Sequence, residues 1–181
     1  MQDKPLFDMD LSKIKAVAFD VDGILTDGGI LAMPDGDLLR VFDSKDAFGI
    51  RMARMKGIIP AIITGGSSES IAHRMVMVGV AREDIYLHSR CKIEDFQDFC
   101  QRHNLQPEEV MYFGDDLPDL DVLKACGCAV VPADAVPEVK EVADIVSPFN
   151  GGKGCVRHAM ELLLKSRGQW SLDSGVYKKM F

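Results

Sequence analysis

No run in this sequence approaches the roughly 18 apolar residues that a membrane-spanning helix needs, which excludes an ordinary transmembrane segment. Positive charge is short too: 21 Lys and Arg stand against 28 Asp and Glu, for a net charge of −7, and the isoelectric point is near 5.1. That balance argues against a general binder of nucleic acid or of anionic membrane. The cysteines are odd in number, five, and Cys91, Cys100, Cys126, Cys128 and Cys155 lack the CxxC spacing of zinc sites. The "CGC" at 126–128 has metal-ligand chemistry in principle, but small buried thiols are the plainer reading, and no disulfide framework is expected. The stretch "MQDKPLFDMDLSKIK" has no basic-then-apolar leader pattern, so a cytoplasmic location is expected. Internal repeats and low-complexity linkers are missing as well.

What the 181 residues do have is material for one sizeable core, with 47% hydrophobic and 27% charged residues, ordinary values for a soluble globular domain. Short apolar runs alternate with amphipathic stretches. Strands are predicted at 15–20, 59–64, 84–88, 110–115, 128–132 and 143–147, and helices near 45–56, 67–78, 92–103, 117–125, 137–142 and 154–165. The alternation predicts an α/β fold, a Rossmann-like parallel sheet with helices on both faces. One segment departs from it: "GGILAMPDGDLLRVF" (28–42) has two extended runs around the turn residues "PDGD" and reads as a β-hairpin inserted after the first strand. The polar end of the chain, from 169 to 181, is expected to be either disordered or an arm docked on a neighbour.

The first strand poses the chemical question. "AVAFDVDGILTDGG" (16–29) is an apolar run that ends in Asp20, Asp22 and Asp27, although carboxylates at the end of a buried strand repel each other and are costly to desolvate. Three other predicted element boundaries also carry reactive groups. "AIITGG" ends in Thr64 with Gly65 and Gly66 after it, Lys92 opens a helix, and "MYFGDDLPD" contributes Asp115, Asp116 and Asp119. In a parallel sheet the carboxyl ends of strands converge on one crevice. Mg²⁺ is a hard cation that takes one or two carboxylates and substrate phosphate oxygens, and Asp20 and Asp115 suit it. Aspartate is a covalent nucleophile in phosphoryl transfer, Asp22 is placed to act as acid, Thr64 to donate to a phosphoryl oxygen, and Lys92 to neutralise charge. Each motif alone has a plain structural reading, as a turn, a strand break, a solvated lysine or an acidic helix start. All four in this order point to phosphoryl transfer.

"FDVDGILTD", "IITGG", Lys92 and "GDDLPD" resemble the four motifs of the haloacid dehalogenase superfamily of phosphatases, over about residues 13–165. The resemblance implies that Asp20 is nucleophile and Mg²⁺ ligand and that Asp22 is acid/base with its backbone carbonyl on the metal. It further implies that Asp115 is a ligand and that Asp116 and Asp119 are supporting acids. Only a hairpin and a helix fit between Asp22 and Thr64, so no cap domain is expected. That feature, "DGILTDGG", "VFDSKDAFGIR", Arg74 and "GGKGCVRHAMELLL" are similar to the cap-less 3-deoxy-D-manno-octulosonate 8-phosphate phosphatases.

This subfamily resemblance implies a homotetramer in which one subunit's hairpin or tail covers a neighbour's site. It also implies a small phosphorylated sugar acid as substrate, lined by Asp22, Asp43, Ser44, Lys45, Asp46, Ala47, Arg51, Gly65, Gly66, Arg74 and Lys92. An arginine suits a sugar-acid carboxylate, which it grips with two hydrogen bonds. Gly66, where the subfamily often carries a long polar side chain, and "HSRC" before Lys92 are departures. The alternatives are a phosphatase for the one-carbon-longer 2-keto-3-deoxynononate 9-phosphate, a phosphomutase, which usually needs a cap, and a non-catalytic protein retaining the fold. Residues 1–12 are expected to be an N-terminal extension, 13–168 the phosphatase domain and 169–181 a tail.

Overall fold

The computed structural model describes residues 10–170 and Gly175. Eight strands and six α-helices are seen among them: β1 (Ala16–Phe19), β2 (Leu31–Ala32), β3 (Leu38–Leu39), α1 (Ser44–Met55), β4 (Ile59–Ile63), α2 (Glu69–Val78), β5 (Ile85–Tyr86), α3 (Lys92–Arg102), β6 (Val110–Phe113), α4 (Leu120–Ala125), β7 (Cys128–Val131), α5 (Pro137–Lys140), β8 (Ile145–Val146) and α6 (Cys155–Ser166). Six strands form one parallel sheet in the order β5-β4-β1-β6-β7-β8. The remaining two, β2 and β3, pair antiparallel as the expected hairpin. Among the described residues only this hairpin and α1 lie between β1 and β4, so no cap is present. No helix among the described residues is long and apolar enough to cross a membrane.

The period-2 pattern of the strands divides the core in two. Val17, Phe19, Ile62, Met111, Phe113 and Val130 face α1, α2 and α6, represented by Ile50, Ala53, Ile71, Met75, Val156 and Leu163. Ala16, Ala18, Ile63, Val110, Tyr112 and Val131 face α3, α4 and α5, represented by Phe96, Phe99, Val122 and Val139. With both faces covered, β1, β4, β6 and β7 are apolar along nearly their whole length, as buried parallel strands are. Helices on both faces thus follow from strands whose two faces are both apolar.

Two expected strands shrink to two residues. Asp84, predicted as the start of the strand at 84–88, is buried in a short 3-10 turn where His103 Nε2 lies 2.8 Å from its Oδ1. The helix expected from 117 starts as a 3-10 turn over Leu117–Asp119, with Pro118 in its first turn. Leu11 is buried in the core, and Arg167 donates to the carbonyls of Leu11, Ser12 and Ile14. Of the tail, Gln169 and Trp170 are held by backbone hydrogen bonds to the Leu164 carbonyl. Residues 1–9, 171–174 and 176–181 lie outside the described residues.

Candidate active site

The chain runs β1 to β4 to β5 on one side of the sheet and then returns to the other side of β1 with β6. The strand order reverses there, and ligands bind at such a switch point in open α/β sheets. Asp20 follows β1 and its N–H donates to the Phe113 carbonyl at 3.0 Å, which ties it to the end of β6. Asp115 stands two residues past that end. A cavity of about 690 Å³ opens over these strand ends and is lined by Asp20, Asp22, Thr64, Gly65, Gly66, Lys92, Asp115, Asp116 and Asp119, among others. All nine were expected at one site.

Lys92 lines this crevice and reaches both Asp20 and Asp119. Its Nζ is 2.7 Å from Asp119 Oδ1 and 3.0 Å from Asp20 Oδ2. Asp119 is fully buried and saturated: Oδ1 also accepts from the Tyr112 hydroxyl at 2.6 Å, and Oδ2 accepts from the Asp115 N–H at 3.2 Å. It therefore anchors Lys92 and shapes the loop after β6. Burial, Asp119 and the proximity of like charge push the Asp20 carboxyl up to about 7, against the pull of Lys92. Burial, then Asp20 and Asp119, push Asp115 up to about 7 as well. Burial alone would lower the Lys92 ammonium, but Asp20 and Asp119 outweigh it and hold its pKa above the ordinary value.

Oxygens of Asp20, Asp115 and Asp119 lie within 4.8 Å of one another. Since Asp119 already accepts from Lys92 and Tyr112, Asp20 and Asp115 are the pair that would hold a cation. A donor set of carboxylate oxygens alone fits Mg²⁺. The glycine of "DVDG" makes room for the Asp115 carboxylate: Gly23 has φ +87°, and a Cβ there would stand 2.0 Å from Asp115 Oδ2. Thr64 is buried, and its Oγ1 accepts from the Gly66 N–H at 3.1 Å. Asp116 is exposed and caps the turn before α4 through Leu117 N–H at 2.7 Å.

The other expected substrate residues are elsewhere. Ser44, Lys45, Ala47, Arg51 and Arg74 line a separate cavity of about 560 Å³, together with Phe48 and Arg157. Asp43 caps α1, accepting from the N–H groups of Lys45 and Asp46 at 2.7 and 3.0 Å. Asp46 is buried and accepts from the N–H groups of Arg157 and Gly154 at the start of α6, at 2.7 and 3.2 Å. Neither lines either cavity, and their carboxylates serve helix starts. One residue absent from the sequence reading does reach the site: Arg40 grips Asp22 with Nε at 2.6 Å from Oδ1 and Nη2 at 2.9 Å from Oδ2. Asp22 and Arg40 are 18 residues apart and meet only because the hairpin folds back, so no local spacing signals the pair.

The chain is similar to proteins of known family. Residues 79–160 match the haloacid dehalogenase-like hydrolase family. A 3-deoxy-D-manno-octulosonate 8-phosphate phosphatase from Salmonella typhi is 36% identical over 156 residues, covering 86% of this chain and 82% of that one. The crystal structure of the phosphatase of that name from Yersinia pestis superposes with a TM-score of 0.84 at 32% identity, covering 88% of this chain and 85% of that one. A third, from Moraxella catarrhalis, was solved in complex with magnesium ion, phosphate ion and KDO; its TM-score is 0.83 at 32% identity, with 86% and 88% of the chains covered.

Proposed function

The chain belongs to the haloacid dehalogenase-like hydrolases, in the branch of the 3-deoxy-D-manno-octulosonate 8-phosphate phosphatases, and we propose that it is a Mg²⁺-dependent phosphatase releasing phosphate from that eight-carbon sugar acid, in lipopolysaccharide precursor synthesis. The observation that carries this is Asp20 and Asp115 facing one cavity at the switch point, with Lys92 3.0 Å from Asp20 and Thr64 and Asp22 on the same walls. Mg²⁺, held by Asp20 and Asp115, would offset their charge and that of the phosphoryl oxygens.

The residues then divide the work. A carboxylate oxygen of Asp20 attacks phosphorus as the bond to the sugar oxygen breaks, and Asp22 gives its proton to that oxygen. Water next attacks the aspartyl-phosphate and loses its proton to Asp22, and phosphate leaves with Asp20 restored. Lys92 and the Thr64 hydroxyl stabilise the equatorial oxygens in both steps.

The assembly is a homotetramer in this reading, with a neighbour completing the substrate site. Ile30, Leu31 and Val41 of the hairpin are exposed apolar groups, 47%, 63% and 79% accessible. The cavity with Lys45, Arg51 and Arg74 is cationic, stands apart from the carboxylates and suits a sugar-acid carboxylate. In this reading the phosphatase domain spans 13–168, and the acidic composition suits a cytoplasmic location.

Because Gly66 places no side chain in the cavity, the nine-carbon 2-keto-3-deoxynononate 9-phosphate is the competing substrate. Steady-state kcat/KM with Mg²⁺ on the two, side by side, separates them. Preference for the eight-carbon ester supports the reading; preference for the nine-carbon ester replaces the substrate and leaves the catalytic roles. Sedimentation velocity tests the tetramer.

A further inference from the structure

The hairpin reaches the catalytic cavity through one side chain. Arg40 follows β3 on a surface hairpin, yet its side chain is only 2% exposed. Its Nε and Nη2 donate to the two oxygens of Asp22, and its Nη1 donates to the Leu38 carbonyl at 2.9 Å. A Cβ on Gly66 would stand 2.8 Å from Ile71 Cδ1, 3.2 Å from Arg40 Nη2 and 3.4 Å from Thr64 Oγ1, so a side chain there would push the guanidinium by a few tenths of an ångström. A second tie, Ser68 Oγ to Asp37 Oδ1 at 2.9 Å, fastens the hairpin to the start of α2. Asp22 itself is 28% exposed in its side chain and shares the cavity with Asp20 and Asp115, whose charge repels it. A two-bond arginine grip fixes both the place and the plane of a carboxylate, which a lysine does not.

We propose that Arg40 is the positioning residue for Asp22, holding its carboxyl at the leaving-group side of the cavity. This rests on the phosphatase reading above. A positioned acid is worth roughly 10²- to 10⁴-fold in rate where the leaving oxygen needs a proton. A sugar alkoxide needs one and a nitrophenolate does not. Loosening Asp22 therefore costs turnover on the sugar phosphate and largely spares an aryl phosphate. Damage to the fold would lower both alike.

The test measures kcat and KM of the full chain with Mg²⁺ on 3-deoxy-D-manno-octulosonate 8-phosphate and on p-nitrophenyl phosphate, for wild type, Arg40→Met, Arg40→Lys and Gly66→Ala. Arg40→Met is expected to lose about 100-fold in kcat on the sugar phosphate, with at least roughly tenfold less loss on the aryl ester and a smaller change in KM. Arg40→Lys falls between wild type and Arg40→Met. Gly66→Ala, which keeps every reacting side chain, shifts the ratio of the two activities in the same direction. Equal losses on both substrates, or none, overturn the proposal. If Arg40→Met does not fold, Arg40→Lys decides by the same ratio. A wild type inert on both substrates sinks the phosphatase reading and this inference with it, whereas an active wild type with equal losses in the variants removes only the role of Arg40.

Discussion

A Cβ on Gly23 would lie 2.0 Å from Asp115 Oδ2. The backbone there is at φ +87°, a region in which a side chain costs of order 1–3 kcal/mol. The glycine of "DVDG" thus serves more than the turn after β1: its missing side chain is the space in which the Asp115 carboxylate sits beside Asp20.

Gly23→Ala is accordingly expected to fold less stably and to lose its response to metal. At Mg²⁺ about 100 times its dissociation constant, the wild type gains about 2.7 kcal/mol, or roughly 5–10 °C in Tm for a domain of this size. The variant gains little. Thermal melts of both proteins with and without Mg²⁺ check this. An undiminished gain in Gly23→Ala contradicts the placement of the cation between Asp20 and Asp115.

The effect of pH on metal binding has a defined sign. Asp20 and Asp115 are both pushed up to about 7 in the metal-free protein, chiefly by burial, from an unfolded value near 4. A carboxyl whose folded pKa is raised holds its proton more tightly in the folded state. Its contribution to metal-free stability is therefore complete below about pH 4 and is lost as pH rises to about 7. Mg²⁺ needs both groups ionised, so the Tm gain from Mg²⁺ grows from pH 5 to 8 and binding releases protons. Melts across that range, with Mg²⁺ or with chelator, read it directly. A gain that shrinks with rising pH contradicts it.

Asp46 was expected at the substrate, yet its buried carboxylate joins α1 to the start of α6 through Arg157 and Gly154. Asp46→Ala leaves those N–H groups without their charged acceptor, at a cost of about 2 kcal/mol or roughly 4–8 °C in Tm. Activity of the folded variant at 25 °C stays within a few-fold of wild type. A KM rise of tenfold or more at unchanged Tm would return Asp46 to the substrate.

How far the sequence carries depends on distance along the chain. Asp20, Thr64 and Asp115 were legible because each follows an apolar run that is buried on both faces, and parallel topology brings such ends together. Lys92 was legible as the first residue of α3. What stayed hidden lies between residues far apart in sequence. Arg40 and Asp22 meet through a hairpin whose strands are two residues each, too short for a periodic pattern. Asp46 and Arg157 are 111 residues apart and meet only when α1 packs on α6. Arg51 and Arg74 share a wall where α1 and α2 meet, with the Arg51 guanidinium donating to the Met77 carbonyl at 2.8 Å; nothing in their spacing separates that cavity from the carboxylates.

The central claim is that Asp20 attacks phosphorus, and one comparison tests it most directly. Phosphate release from 3-deoxy-D-manno-octulosonate 8-phosphate with Mg²⁺ is measured for wild type and for Asp20→Asn, a change of shape too small to disturb packing. Turnover by the wild type and a loss to the detection limit in a folded Asp20→Asn are expected. Substantial turnover by that variant would contradict it.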